Sequence, residues 1–466
     1  MSESISEMIL PGTYIEVRSE GLISVGSIAT GNLGIVGTAA RGPRNVAVAL
    51  GSYSDALDAF GTYNAATTVN ALSLTRALEL AFTGGAQSVY AVRIANGDPI
   101  AASIRVNAAG GAGGFTMTAV DAGSWGNLVH YSVVNQGTVA APNFQLSLKY
   151  LNVRETFQGA TVGEIAAALA ASRLVKVTGT VDDPGGQLAI VDDPTARLTH
   201  GNDHPDVSSA DLADGLAALE SQPVNILIVA GFGADTARGV VAGHLERTEN
   251  EGHERIAILG AKTSAPADVL ADSASVASPR IVLVAPGVIA TDASTGRPAT
   301  LPPSYLAAVI AGELSTLAPH ISMTNKQVSV DDLDVEYNTT VAKNLLQNRV
   351  LLVREKLGFQ IVKGITTDPG AFSQISVRRI VDYAKAGVRS GADPYIGRLN
   401  NSRVRGALRA TLDAFLSEMV LAEMLVGYEL EVSATRAQEI AGVAQVTLTL
   451  EPTFSIDFVR VTMVLQ

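Results

Sequence analysis

Four groups of residues in this sequence have types and spacings that could do chemistry. Lys262 follows the apolar run "ERIAILGA", and strand ends of that kind are where open α/β sheets hold ligands, so its amine could move a proton. His253 sits in "EGHER" between Glu251 and Glu254, a setting for proton transfer that reads first as a solvated helix end. "HGNDHPD" gathers His200, Asp203, His204 and Asp206, all metal-capable, though its Gly and Pro also make it a boundary loop. Asp331, Asp332, Asp334 and Glu336 in "VDDLDVEYN" could hold a cation or form a polar turn before a helix.

The remaining inventory is thin. Gly31, Gly34 and Gly37 are spaced G-x-x-G-x-x-G, and no G-x-x-x-x-G-K-[ST] occurs to cradle a phosphate. The two Asp-Asp-Pro stretches in "VDDPGGQLAIVDDPTARL" lack the alternating oxygen ligands of a calcium loop and read as turns. No histidine lies in H-E-x-x-H or beside a G-x-S-x-G elbow, and there is no cysteine. The other candidate strand ends, Ala230-Gly231-Phe232-Gly233 and Ala285-Pro286-Gly287, carry no acid or base. The expectation is a protein that is not an enzyme, with no catalytic, cofactor-binding or metal-binding residues; an α/β enzyme stays as an alternative.

Composition points the same way. A chain of 466 residues with 47% apolar and 17% charged residues is long enough for several domains with real cores. Its start, "MSESISEMILPGTY", is acidic and polar, and no 18-residue apolar run occurs, so the reading is cytoplasmic synthesis without membrane insertion. The net charge is −12, yet the stretch from Lys343 to Arg409 carries 13 Lys or Arg against four acids. A basic segment in an acidic protein suits a negatively charged partner. No aromatic residues interleave with those arginines and no nucleic-acid motif is present, so direct nucleic-acid binding is not expected.

The elements that would position these residues fall into α/β and α+β parts of a multidomain chain. Residues 1–20 read as an N-terminal arm, with Tyr14 alternating against Ile15 and Val17. "LGIVGTA", "SYSDALDAFG", "VNALSLTRALELAFTGG" and "QSVYAVRI" read as strand, helix, helix and strand. Residues 96–205 switch to short alternating segments such as "LVHYSVV", "FQLSLKYL" and "RLVKVTG", a β-rich insertion. After it, "PVNILIVAG", "ERIAILGA" and "PRIVLVAPG" are near-continuous apolar runs, as parallel strands buried on both faces require. One α/β sheet domain, residues 21–95 and 206–340, is therefore built from both sides of the insertion.

Residues 341–450 read as an α+β unit. "VAKNLLQNRVLLVREKLG" is expected as one helix, "FQIVKGITTD" as a strand, and "SQISVRRIVDYAKAGVRSG" as a second helix. On that second helix Arg378, Asp382, Lys385 and Arg389 form one stripe opposite Val377, Ile380, Val381 and Ala384. A third helix displays Arg405 and Arg409, and "YELEVS" and "AQVTLTLEP" follow as strands. Residues 451–466 form a C-terminal arm in which Phe454, Ile456 and Phe458 alternate with polar neighbours before the apolar set shifts register to Val459, Val461, Met463 and Leu465. A strand so composed must be paired or shielded.

These residues together resemble the tail sheath proteins of contractile phage tails and contractile injection machines. The N-terminal likeness runs through "PGTYIEV", "GIVGTAARGP", "SYSDALDAFG", "ELAFTGGAQSVYAVRI" and "SWGN"; the C-terminal likeness through "KGITTD", "ISVRRIVDYAKAG" and "LDAFLSEMVLAEMLVGYELEVS". It covers about residues 10–95 and 300–466. The resemblance implies a structural subunit that polymerises as stacked hexameric rings around an inner tail tube protein and contracts to drive the tube through a target envelope. It also implies contacts with baseplate and tail terminator proteins, a place in the virion tail or an injection machine, and no cofactor. The N- and C-terminal arms, with Tyr14, Ile15, Val17, Phe454, Ile456, Phe458, Val461 and Met463, would add strands to sheets of neighbouring subunits. Arg378, Lys385, Arg389, Arg405 and Arg409 are the candidate tube-facing surface. Another self-assembling shell or surface-layer protein is the alternative.

Overall fold

The computed structural model describes residues 28–68, 71–138 and 140–465. Tyr14, Ile15 and Val17 lie outside them. The described chain begins with β1 (Leu33–Thr38), β2 (Ala47–Leu50), α1 (Tyr53–Phe60), α2 (Leu74–Thr83) and β3 (Val89–Ile94). An insertion follows: β4 (Ser103–Asn107), β5 (Gly114–Ala119), β6 (His130–Asn135), β7 (Phe144–Tyr150), β8 (Val153–Gly159), α3 (Val162–Ala168) and β9 (Val175–Asp182). The chain returns through α4 (Ser209–Ala217), β10 (Ile226–Gly233), α5 (Ala234–Asn250), β11 (Ile256–Gly260), α6 (Pro266–Ser275) and β12 (Ile281–Ala285). Then come β13 (Val288–Asp292), β14 (Arg297–Leu301), α7 (Pro303–Thr316), β15 (Asp332–Leu333), α8 (Thr339–Gln347), β16 (Val350–Glu355) and β17 (Phe359–Ile361).

Eight of these strands make one sheet in the order β17-β16-β12-β11-β10-β1-β3-β2. Neighbours from β16 to β3 run parallel, and β2 and β17 close the edges antiparallel. The sheet thus takes strands from both sides of the insertion, as the apolar runs imply. Side chains alternate across it. Ile35, Ile226, Ile228, Ile258 and Val284 pack on α2 and α7, while Val36, Leu227, Val229, Leu259 and Leu283 pack on α4, α5 and α8. Covering both faces is why these strands read as unbroken apolar runs. Each such fully buried side chain contributes about 1.5–3 kcal/mol relative to exposure.

One expectation fails here. "NRVLLVREKLG" is not the second half of a helix: α8 stops at Gln347, the chain reverses at Arg349 with φ 65°, and β16 joins the large sheet beside β12. The β-branched and leucine residues Val350 to Val353 are buried against both cores, and that tertiary burial overrides the helical spacing. The sheet therefore continues past residue 340, where the sequence reading ends it.

The insertion holds two three-stranded sheets, β4-β5-β9 and β6-β7-β8, around Phe115, Met117, Trp125, Phe144, Leu146 and Leu148. Arg41 lies over the Trp125 ring at 4.4 Å, and Tyr150 meets that ring edge-on with centroids 5.2 Å apart. The last part comprises α9 (Ile375–Ala392), α10 (Ser402–Leu421), β18 (Leu425–Ser433), α11 (Arg436–Ile440) and β19 (Gln445–Pro452). Ile380 and Ala384 of α9 pack on Phe415, Leu416 and Met419 of α10. Gly387 permits that approach, because a Cβ there would stand 1.9 Å from Phe415 Cζ. β18 and β19 pair from Ser433 opposite Gln445 to Leu425 opposite Pro452, and this hairpin lies on α10 with no third strand among the described residues.

Candidate assembly surfaces

The residues chosen for possible chemistry turn out to be scattered, and several are held by local partners. Lys262 Nζ is 3.7 Å from Asp235 at the mouth of α5. His253 and Glu251 are exposed, whereas Glu254 is buried. Asp203 receives the fully buried Arg93 at 3.1 Å and the Ser124 N–H at 2.7 Å, while Arg93 also donates to the Gly42 and Ala122 carbonyls. This ion pair fastens the insertion to β3. Asp334 accepts from Ser264, and Asp331 accepts from Thr291 across the β13 sheet. Among the described residues, no three His, Asp or Glu side chains converge as a metal site.

The strand order reverses direction between β1 and β10, the place where open α/β sheets bind ligands. A crevice of about 310 Å³ opens there, lined by Thr38, Ser73, Arg76, Asp206, Phe232 and Tyr305. Its cation is already committed: Arg76 bonds Asp292 and the Asn64 carbonyl and lies over the Tyr63 ring. Gly37 belongs to the packing of this region, since a Cβ there would stand 2.9 Å from both Ala230 Cβ and Ser73 Oγ.

The stripe on α9 is engaged inside the chain. Arg280, just before β12 and 4% exposed, makes paired hydrogen bonds to Glu249 (2.6 and 2.6 Å) and to Asp382 (2.8 and 3.0 Å). Arg378 is buried, donates to Asp382 at 2.6 Å and lies over Phe372. Lys385 reaches Glu249 (2.8 Å) and Glu254 (3.1 Å), and Arg389 reaches Glu254 (2.8 Å) and the Gly252 carbonyl (2.7 Å). Lys385 and Arg389 therefore tie α9 to the end of α5 and the turn before β11, while Arg378 pairs within α9 with Asp382, the partner of Arg280. Arg405 bonds Asn400 and Glu439. Arg409 is exposed and has no ion pair or hydrogen bond among the described residues. The sequence reading missed Arg280, whose signal was a lone cation opening the buried run "RIVLVA" with no acid nearby in the chain.

Electrostatics make this joint acid-sensitive. Hydrogen bonds from Arg280, with help from Lys385, outweigh burial and hold Glu249 down at about 2. Burial works against ionised Glu254, but Arg389, a backbone N–H and Lys385 bring it to about 2 as well. On α5, burial, then Arg255 and Arg247, push His244 down to about 3; Arg255 donates to its Nε2 at 3.0 Å. All three groups bind protons more weakly folded than unfolded, so each contributes stability that is lost as pH falls. The loss begins near pH 6.5 from His244 and is joined below about 4.5 by the two glutamates. Denaturant midpoints should accordingly fall steadily from pH 7 to pH 4. His244→Gln should flatten the part between pH 6.5 and 4.5; an unchanged slope would exclude His244 as its source.

The C-terminal segment has the opposite polarity to a strand serving its own subunit. The Ser455 N–H donates to Gln374 Oε1 at 3.1 Å, and Asp457 accepts from Lys363 (3.3 Å), Thr324 (3.2 Å) and Gln374 (3.4 Å). The polar members of the alternation thus face the body. Phe454, Ile456 and Phe458 face away, 61–84% exposed, and Val461 and Met463 are exposed beyond them. No strand among the described residues pairs with this segment.

Comparison with known proteins agrees with this architecture. The sheath tail protein from Desulfitobacterium hafniense superposes with a TM-score of 0.67 at 18% identity, covering 95% of this chain and 100% of that one. The helical sheath of the anti-feeding prophage in its contracted state gives 0.59 at 16% identity, covering 98% and 99%. The tail sheath protein of Mycobacterium phage Bxz1 is 25% identical over 273 residues, 55% of this chain; the match spans about half (46%) of that relative's length. No helix among the described residues is long and apolar enough to cross a membrane. The phage tail sheath protein central domain matches residues 206–367 and the phage tail sheath C-terminal domain residues 367–466. Running without a break over more than half the chain, and on a fold shared with sheath structures from end to end, these matches place the chain in the phage tail sheath protein family.

Proposed function

We propose that this subunit polymerises as stacked rings around an inner tube and contracts to drive the tube through a target envelope. The observation that carries the reading is the outward-facing apolar row Phe454, Ile456 and Phe458 beside a two-stranded hairpin with open edges. Such a row and such an edge complete each other by strand addition: backbone bonds give affinity and alternate side chains give register. Donated between copies, with the N-terminal arm around Tyr14, Ile15 and Val17 as a second donor, these strands keep subunits joined while the bodies rotate. The energy of contraction is then a difference in inter-subunit contacts between two lattices of nearly rigid subunits. Rings built this way would end on baseplate and terminator proteins. Negative-stain microscopy of the chain with its tube protein tests this: hollow cylinders of stacked rings support it, and discrete particles overturn it.

Within this reading Arg409, with Arg405, faces the tube, and the α9 cations hold the subunit together. Exposed ion pairs are individually worth about 0–1 kcal/mol, which suits a hold released on contraction. Arg409→Glu should reduce co-sedimentation with the tube severalfold while the unfolding midpoint of the free subunit stays put. Arg389→Glu should lower that midpoint, because it places a carboxylate beside Glu254. The reverse pattern would reassign the surface to α9.

A further inference from the structure

The C-terminal segment and the start of the described chain are both held by the N-terminal end of one helix, α9. At the first turn of α9, Gln374 holds the C-terminal segment through three hydrogen bonds: Ser455 N–H to Oε1, and Nε2 to the Ser455 carbonyl and to Asp457. Five residues on, Arg379 is buried among carbonyls with no carboxylate bonded to it. It donates to Thr30 (3.1 Å), Leu317 (2.9 Å) and Ala318 (3.4 Å). Thr30 lies at the point where the chain enters the described body, and Leu317 is the C-cap of α7. Burial lowers the Arg379 pKa to about 10, so it remains a cation at neutral pH, suited to the negative end of the α7 dipole.

We infer that the first two turns of α9 are a common clamp for both arms, so that the two connections a subunit makes to its neighbours are mechanically coupled. Three features support this. Gln374 stands at the N-cap of α9 but makes no side-chain cap to its own helix, leaving its amide for the tail. Asp457 is drawn to the same spot by Lys363, just after β17, and by Thr324, between α7 and β15, so the tail exits in a fixed direction. Residues five apart on a helix are separated by about 7.5 Å of axial rise, so the two contacts lie on successive turns of one rigid helix that can carry a displacement from one to the other. A pull on the tail that shifts this end of α9 also shifts the carbonyl contact at Thr30. Gln374, Arg379 and Asp457 are positioning residues for the joints, and the inference rests on the reading that the arms leave the subunit.

Hydrogen exchange of the free full-length chain tests the clamp without any assembly. The reporters are the Ser455 amide, bonded to Gln374, and the Asn32 amide, bonded to Asn225 Oδ1 at 3.1 Å. Gln374→Ala and Asp457→Ala should each speed exchange at Ser455 by about tenfold, and at Asn32 by at least about threefold. Arg379→Lys should do the converse, loosening Asn32 first and Ser455 second, with β10 amides unchanged. If each variant loosens only the arm whose bonds it removes, the coupling is refuted. Should Arg379→Lys fail to fold, the two tail-side variants decide the matter alone. Coupled exchange in a chain that never forms cylinders would overturn the sheath reading and leave the clamp standing.

Discussion

A chain ending at Pro452 should stay monomeric under conditions where the full-length chain, given its tube protein, forms hollow cylinders. The cut falls after the last residue of β19, so the hairpin, α9 and α10 keep all their packing. It removes Phe454, Ile456, Phe458, Val461 and Met463, which are 61–87% exposed in their own subunit. The unfolding midpoint of the monomer should therefore move little; what is lost is the ion pair of Asp457 with Lys363 and the hydrogen bonds of Ser455 and Asp457 to Gln374 and Thr324, partly exposed contacts. In an assembled lattice the same side chains, if buried, would contribute about 1.5–3 kcal/mol each, with net backbone bonds of about 0.5–1.5 kcal/mol apiece. A joint of that size, less the cost of association, is all the difference between a polymer and a monomer. Cylinders from the truncated chain equal to those of the full chain would mean that the segment serves its own subunit. The strand-addition account would then be wrong.

Much of this architecture was legible because local pattern and tertiary demand agreed. "PVNILIVAG", "ERIAILGA" and "PRIVLVAPG" could be read as parallel strands because a sheet covered on both faces leaves no polar side to interrupt the run. The alternation at Phe454, Ile456 and Phe458 appears as an outward apolar row because a period of two puts Ser455 and Asp457 on the side of the body. β16 was not legible: its boundary with α8 is a left-handed turn at Arg349, a residue type that gives no such signal, and its burial depends on β12 from a distant part of the chain. The charged stripe on α9 was legible as a stripe, but its partners within the chain were not. Periodicity tells which side chains share a face, not what the face meets, and the acids that meet this one come from Glu249 and Glu254, more than a hundred residues earlier.

That joint yields the second large effect. Arg280→Met should destabilise the subunit by about 3 kcal/mol, the lower end of the range for removing one partner of a buried ion pair, since Glu249 is about a third exposed and keeps Lys385. The cause is what stays behind. Asp382 and Glu249 lose paired hydrogen bonds from a guanidinium that is almost wholly buried, and Asp382 retains only Arg378. Burial alone would weaken the charge of Arg280; the two carboxylates reverse that and hold it protonated in the wild-type chain. Neutralising the carboxylates instead should help: Glu249→Gln with Asp382→Asn in the Arg280→Met background should restore part of the stability, although either change in the wild-type chain is destabilising. That crossing of signs is the mark of coupled charges, and a double-mutant cycle measures it directly. If Arg280→Met costs less than about 1 kcal/mol, the joint is a surface contact in energetic terms. The coupling of α9 to the sheet would then have to come from Ile375 and Val377, its buried apolar residues at the body, and from Arg379 at the root of the arm.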